Sequence, residues 1–479
     1  MPRQSKYEKI GFKAGLEIHQ QTEHGGKLFC RCPCIIKDDN YDLTFRRSLR
    51  ASASELGEID HAAMYELAKG KYFVYNGYND TNCLVELDES PPEELNKDAL
   101  NIALQVALLL NATPVDAVQF MRKVVIDGSN VSGFQRTAVI ATNGFIETSH
   151  GRVSIPAICL EEEAAKKIDD TEDYRAYNIS RMGIPLIEIA TSPDIKSPDH
   201  ARETAEKIGM VLRSVKGIKR GLGSIRQDVN LSIKGHPRVE IKGFQDLKGI
   251  PDVMEFEIRR QQALKKKRQR LKPEVRKAEP DLKTSFLRPM PGAARMYPET
   301  DVPLIQITKE FLDKINLPEL IAEKVGNLEE KYGLSEELAR EIIKSEIDFS
   351  CYAEKYKNIE PKTIAHIIIE IPKEIKSRLK LDSSKLNNKE FEGVLKLINE
   401  NKIDKSSAVD VLVDLIKDGR IDFKKYEKVS DKDLERQIKK IAEKNKGASF
   451  GAMMGEAMRL FKGKAEPKKI SEFVKKYSV

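Results

Sequence analysis

Polar and apolar residues alternate over residues 15–21, Gly-Leu-Glu-Ile-His-Gln-Gln, which is the pattern of a β-strand. Because successive side chains of a strand point to opposite faces, Glu17 and His19 share one face while Leu16 and Ile18 share the other. A carboxylate beside a neutral imidazole is half of a divalent-cation site. The same alternation also describes a half-buried strand whose polar face meets water, and for this stretch alone both interpretations stay open.

Similar patterns divide the chain into a mixed part and a helical part. Strand-like runs at residues 85–87, 153–155, 186–189 and 239–241 alternate with helical periods at residues 100–110 and 200–214. From about residue 300 glycines become rare and a helical period predominates, with a break near Leu381. We therefore predict an α+β protein with a mixed α/β domain at residues 1–295, a helical domain at residues 296–381 and a helical tail at residues 382–479.

Composition and charge narrow the class of protein. The chain of 479 residues is 40% hydrophobic and 33% charged. No apolar run approaches the roughly 18 residues of a membrane span, so we expect a cytoplasmic protein with no membrane part. Residues 424–479 contain 16 Lys and Arg against 8 Asp and Glu, within a net charge of +7 for the whole chain. A basic end indicates a polyanionic partner, and it is equally the pattern of a solvated helix face.

Two further acidic stretches are candidates to complete a cation site. Glu161 and Glu162 belong to three adjacent carboxylates, which repel one another unless they are solvated, begin a helix or bind a cation. Glu188 is the only charged residue of the apolar run 183–190, which is typical of a buried strand. An unpaired carboxylate there is costly, so Glu188 is the acidic position that most strongly indicates a metal.

A basic and polar stretch follows at residues 220–230. Alternation places Arg226, Asp228 and Asn230 on one face of a strand, and Lys242 could join them from a neighbouring strand. Such a set suits a polyphosphate with its metal, and a structural ladder of salt bridges explains it equally well. Because the sequence has no Gly-x-x-x-x-Gly-Lys-Ser/Thr motif, a nucleotide site here would not be a P-loop.

The cysteines are too few for a disulfide scaffold, since there are six in the whole chain. Cys30, Cys32 and Cys34 alternate, and with Cys83 they could form a four-thiolate structural Zn²⁺ site. Their spacing is not the usual pair of Cys-x-x-Cys motifs. Free buried thiols are therefore the alternative to a structural zinc.

Five motifs occur in an order that resembles the B/E-type subunits of tRNA-dependent amidotransferases, the GatB/GatE family. They are Gly-Leu-Glu-Ile-His at 15–19, Leu-Glu-Glu-Glu-Ala at 160–164, Gly-Ile-Pro-Leu-Ile-Glu-Ile at 183–189, Ile-Arg-Gln-Asp-Val-Asn at 225–230 and Tyr-Pro-Glu-Thr-Asp at 297–301. Lys-Leu-Phe-Cys-Arg-Cys-Pro at 27–33 and Ser-Gly-Phe-Gln-Arg-Thr at 132–137 resemble the archaeal E type (GatE) more than the bacterial B type. Residues 447–473 resemble the family's tail domain, so the resemblance covers nearly the whole chain.

The resemblance implies a cradle domain with a kinase site, a helical domain, and a tail that binds the elbow of tRNA. Proteins of the E type phosphorylate, with ATP, the side-chain carboxylate of glutamate attached to tRNA(Gln). An asparaginase-like glutaminase (GatD) releases the ammonia that displaces the phosphate, in a heterotetramer. A B-type protein with an amidase-like partner, and a tRNA-binding protein without catalysis, are the alternatives.

The motif match also implies roles for single residues. Binding of Mg²⁺ or Mn²⁺ carries over to Glu17, His19, Glu188 and one of Glu161 or Glu162. We assign Arg226, Asp228, Asn230 and Lys242 to the neighbourhood of ATP and of the acyl acceptor. The catalytic candidates are Glu17, His19, Glu188, Arg226 and Lys242. Transfer of a phosphoryl group depends mainly on positioning and on neutralisation of charge, which these residue types supply.

One feature departs from the family's pattern. Archaeal proteins of the E type usually carry a domain-sized insert, similar to one in bacterial aspartyl-tRNA synthetases, before the motif Pro-Gly-Ala-Ala-Arg-Met-Tyr-Pro-Glu-Thr. In this chain, only residues 271–290 separate the basic run 265–270 from that motif at 291–300. Whatever the insert contributes to tRNA recognition or assembly is therefore open for this chain, whereas the kinase residues lie outside the gap.

Overall fold

The fold consists of two units, a sheet unit at Met1–Leu320 and a helical unit at Ile321–Val479. The computed structural model describes residues 6–51, 53, 57–244, 246–267, 272–292, 296–345, 347–420, 423–444, 449–461 and 464–477. Parts of the basic run 265–270, of the motif at 291–300 and of the tail segment 447–473 lie outside the described residues, as does the predicted boundary residue 295.

The sheet unit contains seventeen strands and six α-helices among the described residues. The strands are β1 (Lys13–Gln21), β2 (Leu43–Arg47), β3 (Tyr72–Gly77), β4 (Thr113–Pro114), β5 (Ala117–Val118), β6 (Met121–Val124), β7 (Phe134–Thr148), β8 (Gly151–Glu162), β9 (Lys166–Asp170), β10 (Tyr174–Asn178), β11 (Pro185–Ala190), β12 (Ile225–Ser232), β13 (Val239–Phe244), β14 (Glu274–Ala278), β15 (Thr284–Pro289), β16 (Met296–Pro298) and β17 (Ile305–Gln306). The helices are α1 (Lys6–Lys9), α2 (His61–Leu67), α3 (Lys97–Leu109), α4 (Pro198–Ser214), α5 (Ile250–Lys266) and α6 (Lys309–Leu312).

An eleven-stranded sheet forms the centre of this unit. Its order is β15-β14-β13-β12-β1-β11-β8-β7-β6-β16, with β4 paired to β7, so β1 lies in the interior of the sheet. Strand β1 is antiparallel to both of its neighbours, β11 and β12. A second sheet has the order β2-β3-β10-β9, and β17 pairs with β5. The first predicted strand therefore brings together chain segments from three distant parts of the sequence.

One face of the large sheet is covered by helices. Leu16 and Ile18 of β1 are almost completely buried, and they belong to one core with Leu104 of α3, Ile208 of α4 and Met254 of α5. The apolar half of the alternating pattern thus faces the helices, because burial of apolar surface stabilises the fold by roughly 25 cal/mol per Å². The polar half of the pattern lies on the opposite face of the sheet.

Most of the predicted local elements match the structure. Residues 153–155, 186–189 and 239–241 lie in β8, β11 and β13, and the two helical periods lie in α3 and α4. Residues 85–87 differ, because they belong to a turn and not to a strand. Their apolar character is local, and the turn directs Glu86 into the interior, where it is 5% exposed.

The sheet unit extends beyond the predicted boundary at residue 295. Residues 296–298 form β16, which pairs with β6, and residues 305–306 form β17, which pairs with β5. These hydrogen bonds connect the segment to the sheet although its composition already resembles that of the helical part. The division between the units follows Leu320.

The helical unit contains α7 (Ile321–Tyr332), α8 (Glu336–Lys344), α9 (Phe349–Lys355), α10 (Pro361–Ala365), α11 (Ile371–Arg378), α12 (Asn388–Asn399), α13 (Ala408–Asp418), α14 (Phe423–Tyr426), α15 (Asp431–Lys444), α16 (Phe450–Phe461) and α17 (Pro467–Tyr477). A π-helical turn at His366–Glu370 joins α10 to α11. Among the described residues, no helix combines the length and apolar character that a membrane span requires.

Two apolar clusters divide the helical unit at a later point than the predicted break at residue 381. The first contains buried residues from Leu334 to Tyr426, and the second from Leu434 to Val474. Leu381 and Leu386 both pack against the first cluster. The polar stretch between them is a turn in which the side chain of Asp382 accepts a hydrogen bond from the backbone, so it connects helices of one core.

Leu16→Ala should destabilise the sheet unit by about 2–5 kcal/mol, because it leaves a cavity in the core beneath β1. Urea unfolding followed by circular dichroism measures the change. The matched control is Leu222→Ala, since Leu222 is 96% exposed and its truncation removes almost no buried contact. Equal unfolding midpoints for Leu16→Ala and the unmodified chain would contradict this description of the core.

Candidate active site

The polar face of β1 meets charged residues of both neighbouring strands. His19 is paired with Glu188 of β11 and with Arg226 of β12, and Glu17 is paired with Asp228 of β12. Directly opposite residues of antiparallel strands lie about 5 Å apart and their side chains share a face. The register therefore brings together residues that the sequence places more than 160 positions apart.

His19 is the centre of this arrangement. Its Nε2 atom lies 3.4 Å from Glu17 Oε1 and 3.4 Å from Glu188 Oε2. The three side chains are largely buried but reach the surface of the polar face, with 13%, 26% and 16% exposure for His19, Glu17 and Glu188. An imidazole nitrogen between two carboxylates is the beginning of a cation site that a ligand can still reach.

Glu161 comes from β8, where it pairs with Leu186 two residues before Glu188. Its carboxylate accepts hydrogen bonds from Lys123 Nζ at 2.6 Å, Thr137 Oγ1 at 2.6 Å and Gln135 Nε2 at 3.1 Å. Lys123 Nζ also lies 3.6 Å from Glu188 Oε2. Lys123, Thr137 and Gln135 were not among the predicted site residues.

Glu162 has different partners. Its side chain accepts a hydrogen bond from the backbone nitrogen of Arg136 at 3.2 Å and contacts the Arg136 guanidinium at 3.4 Å. Arg136 Nε also donates to Glu299 at 2.7 Å. Of the two adjacent glutamates proposed as the fourth ligand, only Glu161 belongs to a group with His19 and Glu188.

Two groups of side chains could hold a metal ion on this face: Glu17, His19 and Asp228, and His19, Glu161 and Glu188. Within each group, the candidate ligand atoms all lie within 4.8 Å of one another. We call these five residues the carboxylate cluster. Both groups use His19, and because an imidazole nitrogen has one lone pair it can coordinate one ion at a time.

Lys242 and Arg226 lie at the β12 side of the carboxylate cluster. Lys242 Nζ lies 2.5 Å from Asp228 Oδ2 and also contacts Glu240. Arg226 makes two hydrogen bonds to the buried Glu163, at 2.6 and 2.8 Å, and Gln21 donates to the same carboxylate at 2.8 Å. Asn230 lies further along the same strand, and its side-chain oxygen is buried without a hydrogen-bond partner in the described part of the chain.

The charges of the cluster shift the pKa values of its members. Burial lowers the pKa of His19, but the hydrogen bond and charge of Glu188 outweigh burial and raise it to about 9. Burial and the charge of Glu188 raise the pKa of Glu17 to about 6. Burial opposes ionisation of Glu188 as well, but Lys123 and His19 hold its pKa well below the usual value. Closely spaced carboxylates thus share the available positive charge.

Two lateral ion pairs also shift pKa values. Burial would raise the pKa of Glu163, but Arg226 and Arg181 outweigh it and lower that pKa to about 2. Burial likewise opposes the charge of Lys242, whereas Asp228 and Glu240 raise its pKa above the usual range. Glu163 and Lys242 therefore stay charged at neutral pH, and their ion pairs fix the side chains that border the cluster.

A second group of candidate ligands lies on the loops after β1 and β3. Cys30, Cys32, Cys83 and Glu86 form this group, with all four candidate ligand atoms within 4.8 Å of one another. We call it the thiol cluster. It differs from the predicted four-thiolate set, because Glu86 takes the place of Cys34. Cys34 is held elsewhere, where its backbone oxygen accepts a hydrogen bond from Lys219 Nζ at 2.6 Å.

Some site residues that were not predicted from the sequence nevertheless have a recognisable signal there, and others have none. Glu163 adjoins the predicted glutamates, and Gln135 lies in a segment already used for the family resemblance. Lys123 and Glu240 lack such a signal, because their role depends on which strand pairs with which. Glu86 was assigned to a strand, and only the observed turn directs it toward the thiols.

Comparison with known proteins places these sites in a family. The model of the GatB/GatE catalytic domain matches residues 12–313, and that of the GatB domain matches residues 348–477. Three archaeal relatives are each named as the E subunit of glutamyl-tRNA(Gln) amidotransferase. The one from Methanocaldococcus jannaschii is 38% identical over 98% of this chain and 99% of its own length. Those from Methanosarcina barkeri and Methanococcus maripaludis (strain C7) are 36% and 35% identical, each over 98% of both chains.

The relatives are longer than this chain. The alignment with the Methanocaldococcus relative spans 622 positions, 143 more than the 479 residues here, so that relative has internal residues without a counterpart in this chain. This agrees with the expected lack of an insert. The family models nevertheless cover both units, and the carboxylate cluster lies within the catalytic-domain match. The chain therefore belongs to the GatB/GatE family of amidotransferase subunits.

Proposed function

We propose that this chain is the kinase and transamidation component, of the E type, in an amidotransferase that converts Glu-tRNA(Gln) to Gln-tRNA(Gln). The observation that carries the proposal is the carboxylate cluster around His19 with its flanking cations, which lies within the catalytic-domain match. The printed name of the relatives supports the same substrate. ATP is needed because a carboxylate is a poor electrophile toward ammonia until one of its oxygens is phosphorylated.

The donor atoms of the carboxylate cluster fit a hard divalent cation. Carboxylate oxygens are the ligands that Mg²⁺ and Mn²⁺ prefer, and the imidazole nitrogen makes Mn²⁺ as acceptable as Mg²⁺. The unpartnered oxygen of Asn230 adds a neutral oxygen donor on the same face. Bound by His19, Glu161 and Glu188, with Glu17 beside His19, such an ion would neutralise charge on the phosphates of ATP.

The cations around the cluster have hydrogen-bond donors to offer. An ammonium group has three N–H donors, and among the described contacts Lys242 uses two of them on Asp228 and Glu240. Arg226 directs two of its five donors at Glu163. We assign the remaining donors of both side chains to oxygens of ATP and of the glutamyl carboxylate. Lys123, next to Glu161 and Glu188, contributes a third positive charge.

The two chemical steps require different things of the chain. In the first, a glutamyl carboxylate oxygen attacks the γ-phosphorus of ATP and ADP leaves, which needs an aligned pair of substrates and neutralised charge. In the second, ammonia attacks the acyl carbon and inorganic phosphate leaves with the C–O bond electrons. Side chains fixed on adjacent strands of a rigid sheet, by the ion pairs described, supply the alignment.

The remaining assignments concern the protein and RNA partners of the chain and its location in the cell. We assign the ammonia supply to an asparaginase-like glutaminase (GatD) in a heterotetramer, and the complex to the cytoplasm. The basic residues of 424–479 are assigned to the tRNA elbow, since exposed lysines lie along α15 and α17 of the second helical cluster. The structural Zn²⁺ predicted for the cysteines is treated with the thiol cluster below.

Two alternatives give different observations. A B-type protein would co-purify with an amidase-like partner instead of an asparaginase-like one, while its ATP chemistry would be the same. A tRNA-binding protein without catalysis would bind tRNA but neither ATP nor a divalent cation. The convergence of Glu17, His19 and Glu188 on one half-buried face supports catalysis over the second alternative.

Glu188→Gln should lower the affinity for Mn²⁺ by about tenfold or more, because it removes a charged ligand while keeping its shape. The same variant should lower ATP turnover, measured with Glu-tRNA(Gln) and the glutaminase partner, by about 100-fold or more. Calorimetric titration with Mn²⁺ and release of ADP are the two measurements.

The control for this variant is Glu147→Gln. Glu147 lies in the same sheet, in β7, but its side chain is 59% exposed and pairs with Arg152 away from the carboxylate cluster. It should keep both Mn²⁺ affinity and ATP turnover. A folded Glu188→Gln protein with undiminished ATP turnover would exclude Glu188 from the metal site.

Binding of tRNA should depend on salt through the tail. The double variant Lys439→Ala and Lys440→Ala removes two exposed charges of α15, and should reduce the slope of log K against log salt by about 1–2. Lys362→Ala with Lys396→Ala, exposed in the first helical cluster, is the matched control and should leave the slope unchanged. Filter binding over a salt series measures the slope for the two double variants and for the unmodified chain. Equal slopes for these three proteins would exclude the tail from the tRNA site.

A further inference from the structure

The thiol cluster is a second site, separate from the carboxylate cluster and not used by the proposed chemistry. Cys30 and Cys32 lie on the loop after β1, and Cys83 and Glu86 lie on the loop after β3. The two loops thus contribute two candidate ligands each. All four donor atoms lie within 4.8 Å of one another, which is the compactness that a coordinated ion requires.

Glu86 is the unusual member of the cluster. It is 5% exposed, and a buried carboxylate is costly unless it is paired or coordinates a metal. Its Oε1 atom lies 2.8 Å from Cys30 Sγ, and its Oε2 atom accepts a hydrogen bond from the backbone nitrogen of Cys83 at 2.8 Å. These contacts orient the carboxylate toward the thiols and away from solvent.

Lys27 supplies a buried positive charge beside the cluster. Its Nζ atom lies 3.4 Å from Glu86 Oε1 and donates to the backbone oxygen of Thr81 at 2.7 Å. Three thiolates and one carboxylate carry four negative charges, a divalent cation carries two positive charges and Lys27 carries one. The buried lysine therefore reduces the net charge of an occupied site to minus one.

We propose that Cys30, Cys32, Cys83 and Glu86 bind one thiophilic divalent cation, Zn²⁺ by the chemistry of the donors. Three sulfur donors exclude Mg²⁺ and Ca²⁺, which take oxygen ligands, and four protein donors without an added water are typical of a structural zinc. The thiols release their protons on binding. Cys34 is not a ligand of this ion.

The position of the site gives it a structural role. The backbone nitrogen of Leu28 donates to the oxygen of Gly183 at 2.8 Å, and that of Thr22 donates to the oxygen of Pro185 at 2.9 Å. Gly183 has a φ of +82°, and a Cβ at this residue would lie 3.3 Å from both Glu86 Oε1 and the Lys27 side chain. The thiol cluster thus packs against the turn that leads into β11.

The ion would consequently fix two strands of the carboxylate cluster at once. The loop that contains Cys30 and Cys32 follows β1, which carries Glu17 and His19, and the turn at Gly183 precedes β11, which carries Glu188. The thiol cluster then positions the side chains of the carboxylate cluster. This positioning role rests on the proposed function, whereas binding of the thiophilic ion does not.

Metal analysis of the full chain tests the proposal. After reduction, reconstitution with Zn²⁺ and desalting, the unmodified protein should retain one equivalent of zinc per chain, measured by mass spectrometry of the metal. Replacement by Co²⁺ should give the visible and near-ultraviolet bands of tetrahedral cobalt with thiolate ligands. Cys32→Ser and Cys83→Ser should lose at least about 90% of the zinc, since each removes a ligand, while Cys34→Ser should keep all of it.

The assignment of Glu86 as a ligand and the existence of the zinc site are tested by different measurements. Glu86→Gln should weaken zinc retention and alter the cobalt spectrum, whereas full retention by Glu86→Gln combined with loss by Cys34→Ser would overturn the assignment of Glu86. An unmodified protein that retains no zinc after reconstitution, or whose cysteines form a disulfide there, would overturn the site. The measurements on the unmodified chain and on Cys34→Ser are valid even if the variants that lack a proposed ligand do not fold.

The zinc measurement also separates this inference from the proposed function. Glu188→Gln should keep its zinc while it loses ATP turnover, since Glu188 is not a ligand of the thiol cluster. If positioning is the role, a folded Cys32→Ser protein should bind Mn²⁺ about tenfold more weakly than the unmodified chain. Unchanged Mn²⁺ affinity in zinc-free, folded protein would overturn the positioning role.

Discussion

Compensation of charge across neighbouring strands is the interaction on which the polar face of the sheet depends. Carboxylates from β1, β8, β11 and β12 meet on this face, and those of β8, β11 and β12 lie beside cations of other strands, as Glu188 does beside His19 and Lys123. Without these pairs, burial would drive the carboxylates to their neutral form. The apolar face of β1 holds the strand in place, so that one short strand serves both the core and the site.

Sequence alone predicted those parts of the site that depend on local pattern. Alternation placed Glu17 and His19 on one face, and the isolation of Glu188 in an apolar run indicated a partner or a metal. Both are properties of a single strand. Lys123 and Glu86 could not be found in this way, because one depends on pairing between distant strands and the other on a turn that resembled a strand.

The same distinction holds for the fold. The α+β class, the helical C-terminal part and most local elements follow from periodicity and glycine content. The boundaries at 295 and 381 do not, because composition cannot show that residues 296–298 pair with β6 or that Leu381 packs in the same core as Leu334. Long-range hydrogen bonds and packing decide where a unit ends, and a polar turn inside one core resembles a linker.

In the function that we propose, a rigid sheet aligns a carboxylate substrate with ATP, and the carboxylate cluster, the cations around it and the thiol cluster contribute to that alignment. This function requires that the glutamyl carboxylate is phosphorylated before ammonia attacks. Glu-tRNA(Gln) labelled with ¹⁸O in the side-chain carboxylate tests this most directly, by mass analysis of the phosphate released with the glutaminase partner. We predict that an ¹⁸O atom passes from the carboxylate to each phosphate formed. Amide product accompanied by unlabelled phosphate would contradict it.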